Sequence, residues 1–98
     1  MEVMDHAPAA WYLLADGDAL FLVVNCNHGA IGYSVLIELD GSERARWQHD
    51  GHEYLDRLSQ DVHTSAPLVD KTSPYRSRDL TRARSSEVSA AVRRWRGE

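Results

Sequence analysis

The sequence has one cysteine, Cys26, and no long apolar run. One cysteine excludes an internal disulfide and any zinc site built from several cysteines, as is typical of proteins from a reducing compartment. No stretch approaches the roughly 20 apolar residues of a membrane-spanning helix. Residues 1–8 lack the basic and apolar regions of a signal peptide. We therefore expect a soluble cytoplasmic protein that does not enter a membrane.

Lysine is also scarce: one residue, Lys71, stands against ten arginines. We attribute this bias to a GC-rich bacterial genome. The apolar share of 43%, with three Trp and four Tyr, is that of a folded domain and not of a disordered chain. Ninety-eight residues are too few for two separate cores, so we expect residues 1–98 to form one domain.

Charge is divided unevenly along the chain. Residues 1–70 carry twelve acids and three arginines, a net charge of −9, whereas residues 71–98 carry eight bases and three acids, a net charge of +5. The basic segment could fold back on its own body, meet the body of a second copy, or bind an external anion. The sequence leaves these three alternatives open.

Residues 9–39 contain three apolar runs, at 11–15, 19–25 and 31–39, separated by Asp16-Gly17 and His28-Gly29. Short linkers that end in glycine between apolar runs predict β-hairpins. If both turns have two central residues, Leu13 pairs with Leu20 and Val24 pairs with Tyr33. The pattern predicts a three-stranded antiparallel meander, within a small α+β domain.

Two helices are predicted after the sheet. Asp50 and Glu53 resemble a capping box at the start of a helix over about 51–63, and a second apolar stripe predicts a helix over about 82–96. Residues 64–79, with two prolines, are interpreted as a linker. Residues 42–49 fit either a fourth strand or a helical turn capped by Ser42, and we favour the helical turn.

Both faces of the predicted meander are rich in apolar side chains, although a sheet with one wet face normally alternates apolar with polar residues. Two helices would cover one face well. The other face would then form an apolar patch of the kind that marks an interface. Such a patch predicts a homodimer. In the alternative, one helix covers each face and the protein is a monomer. The patch contains Tyr12, Leu14, Phe21, Val23 and Leu36.

Three neighbouring residues, Tyr75, Arg76 and Arg78, are candidates for binding a carboxylate or phosphate, because arginine matches such anions bidentately. Pairing with the adjacent Asp79 is the simpler expectation. Charge argues against nucleic acid as a partner, because the −9 body would repel a polyanion and no nucleic-acid-binding motif is present.

Two other clusters carry candidate chemistry. Cys26 and His28 could share a strand face, which would make Cys26 a candidate nucleophile, whereas the simpler interpretation is a buried cysteine beside a turn. The histidines at 49, 52 and 63 have no spacing that fixes three or four ligands on one metal ion. We predict no metal and no cofactor, since phosphate-binding and dinucleotide-binding motifs are also absent.

The function that this sequence favours is that of a small bacterial interaction or accessory protein without enzymatic activity, which binds a partner through an acidic or apolar surface. The alternative is a small enzyme or ligand-binding module that uses Cys26 and His28. A third hypothesis is weak association with nucleic acid through the arginine-rich segment.

Overall fold

The sheet has four strands in the computed structural model, which describes residues 1–28, 31–67 and 70–97. These are β1 (Glu2–Ala7), β2 (Trp11–Asp16), β3 (Ala19–His28) and β4 (Ile31–Glu38). Each strand pairs antiparallel with the next, in the order β1-β2-β3-β4. The predicted α+β meander is confirmed.

The fourth strand precedes the predicted sheet and does not lie at residues 42–49. The sequence of β1, EVMDHA, shows no apolar alternation, so the pattern alone starts the sheet at residue 9. A bulge between Val3 and Asp5 interrupts its pairing with β2. Bulges and charged residues are common ways in which an edge strand avoids pairing with another chain.

The predicted strand pairing is wrong by two residues. Leu13 pairs with Leu22, and Cys26 pairs with Tyr33. The first turn is centred one residue later than predicted: Gly17 takes a positive φ of 59° at the first central position, the pattern of a type II′ hairpin. Since the side-chain period of a strand is two, the shift leaves every side chain on its predicted face. The second predicted turn falls on Gly29, which lies outside the described residues.

The helical interpretation of residues 42–49 is correct, but the predicted cap is not. Helix α1 (Gly41–Asp50) begins after Asp40, whose carboxylate accepts from the Glu43 backbone N–H at 2.8 Å. The Glu43 carboxylate accepts in return from the Asp40 N–H at 2.9 Å. This reciprocal capping box, and not Ser42, starts the helix.

Helix α2 (His52–Ser65) follows at once, with Gly51 between the two helices. Gly51 takes a φ of 66°, a conformation that glycine adopts without strain and that breaks the helical path. Asp50 ends α1 and does not cap α2, which corrects the predicted capping box. The chain then passes through a short 3₁₀ turn, Arg76–Arg78, into α3 (Thr81–Arg96).

Each face of the sheet is covered by helices, so the sheet lies between two apolar layers. On one face, strand residues including Leu13, Leu22 and Ile37 pack with Leu55 and Val62 of α2. On the other face α3 covers the five residues of the predicted patch, with Ala91 buried among them. The structure therefore has one helix, α2 or α3, packed on each face of the sheet, as in the alternative to an open face.

Residues 78–81, where the chain enters α3, also bond to the outer edge of β4. Both backbone groups of Leu36 are bonded to it: the N–H donates to the Asp79 carboxylate and the Thr81 hydroxyl, each at 3.1 Å, and the C=O accepts from Leu80 at 2.7 Å. Arg78 donates to the Glu38 C=O at 2.8 Å. These bonds occupy edge groups that could otherwise pair with a foreign strand.

Candidate functional site

The acidic and basic parts of the sequence lie in different helical layers, one on each face of the sheet. Helix α2 carries a net charge of −2 and helix α3 a net charge of +4, and they pack on opposite faces of the sheet. Part of the basic segment folds back on its own chain, since Arg84 pairs with Asp16 at 2.6 Å. The remaining arginines of α3 make the outer surface of that layer basic.

Tyr75 and Arg78, two of the three predicted anion-binding residues, lie together, but the charge of Arg78 is paired with Glu43. Arg78 donates two hydrogen bonds to the Glu43 carboxylate, at 3.0 and 2.6 Å, and its guanidinium lies 5.8 Å from the centre of the Tyr75 ring. Arg76 is exposed in the 3₁₀ turn. The expected partner Asp79 bonds instead to the start of α3. This pairing neutralises Arg78, and anion binding at Tyr75, Arg76 and Arg78 stays a prediction.

Cys26 lies inside the core layer beneath α2 and is only 2% exposed. Burial raises the pKa of its thiol above the ordinary value of 9.0, so the thiolate needed for nucleophilic attack is disfavoured. The side chain of His28 lies outside the described part of the chain. The observed environment of Cys26 is that of a buried apolar residue.

The histidines near the start of α2 are held by separate carboxylates. His49 contacts Asp50 at 2.6 Å, whereas His52 lies between Asp5 and Asp56. Within the described residues, no group of three or more His, Cys, Asp or Glu side chains is placed to hold a metal ion.

An apolar cleft runs between α3 and strands β3 and β4, and we call it the α3 groove. It consists of two adjoining cavities of about 330 and 340 Å³. Val23 and Leu36 of the sheet border it from the core, and Val88 of α3 lines its other side. Ser34 and Ser89 line both cavities, so the two are neighbours and each has hydroxyl groups in its lining.

One end of the α3 groove is cationic. Arg93 and Arg96 line that end, and among the described residues neither forms an ion pair with a carboxylate. Arg96 donates to the Tyr12 hydroxyl at 2.9 Å, and Arg93 donates to the Ser89 C=O at 3.4 Å. These neutral contacts orient the two guanidinium groups without neutralising them.

An aromatic cluster adjoins the cationic end. Tyr12, which lines the groove, meets the Trp95 ring edge-on at a centroid distance of 5.8 Å, and His6 of β1 meets Trp95 at 4.5 Å. Trp95 remains 45% exposed, an unusually large apolar exposure for tryptophan. The groove thus ends beside a partly exposed aromatic surface.

A larger cavity of about 530 Å³ lies between α1 and α2, with Tyr75 at its border. Its lining includes both signs of charge, Arg46 and Arg57 against Glu43 and Asp61, and it is the more polar of the two sites. Burial raises the pKa values of Tyr54 and Tyr75 above 10.0, so both phenols stay protonated at neutral pH. Its mixed charge selects neither an anion nor a cation.

The five residues of the predicted interface do not form an open apolar patch, because they pack with α3. Leu14, Phe21, Val23 and Leu36 are buried beneath α3, and Tyr12 is half-buried. The premise of an open sheet face is therefore corrected, because α3 covers it. Self-association by another surface stays a prediction.

Comparison with protein-family models, with curated proteins and with solved structures found no significant match. No helix in the described ranges is both long enough and apolar enough to cross a membrane.

Proposed function

We propose that this protein is a binding protein without enzymatic activity, and that its α3 groove holds a segment of a partner protein rich in acidic and apolar residues. The observation that carries this proposal is the apolar groove that ends in two arginines, Arg93 and Arg96, which have no carboxylate partner among the described residues.

Charge complementarity supports an acidic partner. The whole chain has a net charge of −4, yet the α3 layer is basic. An acidic segment would approach that layer in preference to the acidic α2 layer, because complementary potentials steer association and suppress wrong orientations. Carboxylates can bond guanidinium groups bidentately, which would replace the neutral contacts that Arg93 and Arg96 now make.

Residue types near the groove support a protein partner. Trp, Tyr and Arg are the side chains that most often dominate the binding energy of protein interfaces. Here Tyr12, Trp95 and Arg96 lie in mutual contact or next to one another at one end of the groove. The apolar part of a bound segment would pack along Val88 and Val92.

The burial of Cys26 weighs against the enzymatic alternative. A catalytic thiolate requires access and a lowered pKa, whereas Cys26 has neither.

The proposal can be tested with two synthetic peptides of one length, one built from Glu and Leu and the other from Lys and Leu. Fluorescence anisotropy should show that the parent protein binds the Glu peptide and not the Lys peptide. The double variant Arg93→Glu, Arg96→Glu should lose at least tenfold in affinity, because each charge pair is replaced by like-charge repulsion.

Arg82→Glu is the matched control, since Arg82 is an exposed arginine of α3 that does not line the groove. It should retain most of the affinity, and Ser89→Trp, which fills the groove, should remove it. Equal binding of both peptides, or an equal loss in Arg82→Glu, would contradict the proposal.

A further inference from the structure

We propose that His52 forms a proton-dependent clasp that holds the edge strand β1 against helix α2 and loosens as the pH rises. The clasp is independent of the α3 groove, because it lies on the opposite face of the sheet. Its residues are Asp5 of β1, His52 and Asp56 of α2, and Trp11 of β2.

Both ring nitrogens of His52 face carboxylate oxygens. Nδ1 lies 2.9 Å from Asp5 Oδ2, and Nε2 lies 3.5 Å from Asp56 Oδ2. A neutral imidazole donates from one nitrogen only, whereas the imidazolium donates from both. The observed arrangement therefore favours the charged ring, and loss of the proton leaves one nitrogen lone pair facing a carboxylate.

The clasp connects the edge strand to a fully buried residue. The Trp11 indole N–H donates to Asp56 Oδ1 at 3.0 Å, and the Trp11 ring lies 4.9 Å from the His52 ring. Trp11 itself is completely buried. Asp56 and His52 are thus positioned by the core, and Asp5 is the group through which β1 is attached to them.

The charges around His52 act in one direction. Its hydrogen bond with Asp5 raises the pKa of His52 above 6.5, the nearby charge of Asp56 raises it as well, and slight burial opposes them. On α1, Asp50 is bonded to His49 and Arg57. A group whose pKa is raised by folding stabilises the fold below its unfolded pKa, and this stabilisation is lost as the pH rises through the folded pKa.

Release of the clasp would act on β1 alone. β1 is an edge strand whose backbone pairs with β2 in the described sheet, and the bulge interrupts that pairing. Two contacts with α3 lie on the other face of the sheet. His6 of β1 contacts Trp95, and the C=O of Met1, just before β1, accepts from Arg94. We expect local opening of β1, and not global unfolding, as the pH rises.

Two measurements test the clasp. In a histidine NMR titration, the pKa of His52 should lie above 6.5 in the parent and fall in Asp5→Asn, while Asp50→Asn, which removes the partner of His49, should leave it unchanged. Amide hydrogen exchange, corrected for intrinsic rates, should show that protection of β1 falls roughly two- to fivefold between about pH 5.5 and 8, the size expected for exposed charge pairs.

His52→Gln should remove this pH dependence and His49→Gln should retain it. The clasp is refuted if the pKa of His52 equals that of an exposed histidine. It is also refuted if β1 protection keeps its pH dependence in His52→Gln.

Discussion

At the scale of single residues, burial decides which reactive side chains keep their reactivity. The string Asn25-Cys26-Asn27-His28 suggests thiol chemistry, yet Cys26 points into the layer between the sheet and α2. The alternation of the strand already places Cys26 on the same face as Leu22 and Val24. Its position on a buried face could thus be predicted from the sequence.

The first prediction concerns the accessibility of Cys26. A thiol reagent should label it only when the protein is unfolded, because reaction requires an accessible thiolate and burial disfavours one. Labelling with and without denaturant, followed by absorbance, measures this. Rapid labelling of the native protein below about pH 7 that is lost in His28→Ala would support the enzymatic alternative instead.

The second prediction compares Phe21, a strand residue that α3 covers, with Trp95, a residue of α3 itself. Phe21 is 1% exposed, so Phe21→Ala should lower the free energy of unfolding by about 3–5 kcal/mol, the usual cost of truncating a buried aromatic side chain. Trp95 is 45% exposed, so Trp95→Ala should cost about half as much or less.

Chemical denaturation of both variants measures the difference. A loss in Trp95→Ala as large as that in Phe21→Ala would mean that Trp95 is buried in solution. That result would also remove the exposed aromatic surface from the proposed binding site.

At the scale of secondary structure, the apolar periodicities predict the central strands, both faces of the sheet and the last helix. The polar β1 has no such periodicity and is held by pairing with β2 and by contacts with α2 and α3, which are not local. The caps are less predictable, because Asp40 and Asp50 are each followed by Gly and, three residues later, by Glu. The two sites differ only in the structure, where Gly41 is helical and Gly51 takes a positive φ between α1 and α2.

The third prediction concerns Asp79, which connects the start of α3 to the edge of β4. Its carboxylate accepts from the backbone N–H groups of Leu36 and Thr81 at 3.1 and 3.0 Å. Asp79→Ala should destabilise the protein by about 1–3 kcal/mol, because it removes a helix-start acceptor and leaves a part-buried donor with fewer partners.

Asp70→Ala is the matched control for this variant. Asp70 makes the same type of bonds, to the N–H and hydroxyl of Thr72, but only within its own loop. Thermal unfolding should therefore separate the two variants. Equal melting temperatures would show that Asp79 does not anchor α3 to the sheet.

At the scale of the whole molecule, the sequence leaves open what covers the second face of the sheet. Composition and pattern allow either a second copy or a helix of the same chain, and the structure has the helix. The α3 groove follows from that arrangement. It could not be predicted, because Tyr12, Val23 and Ser34 lie on paired strands, whereas Val88 joins them only by docking of α3.

The fourth prediction concerns self-association. Because α3 covers Phe21, Phe21→Glu should unfold the protein rather than dissociate a dimer, which circular dichroism together with light scattering can distinguish. If the parent has the mass of a dimer and Phe21→Glu is a folded monomer, then the sheet face is an interface and the docked position of α3 is wrong.

The most direct test of the account is an NMR titration of isotope-labelled protein with the Glu and Leu peptide. The account predicts that the largest chemical-shift changes fall on Ser34, Val88, Ser89, Val92 and Arg93, with little change in α1 and α2. Changes concentrated on Arg46, Tyr54 and Tyr75 would place binding in the cavity between α1 and α2 and would contradict the proposed role of the α3 groove.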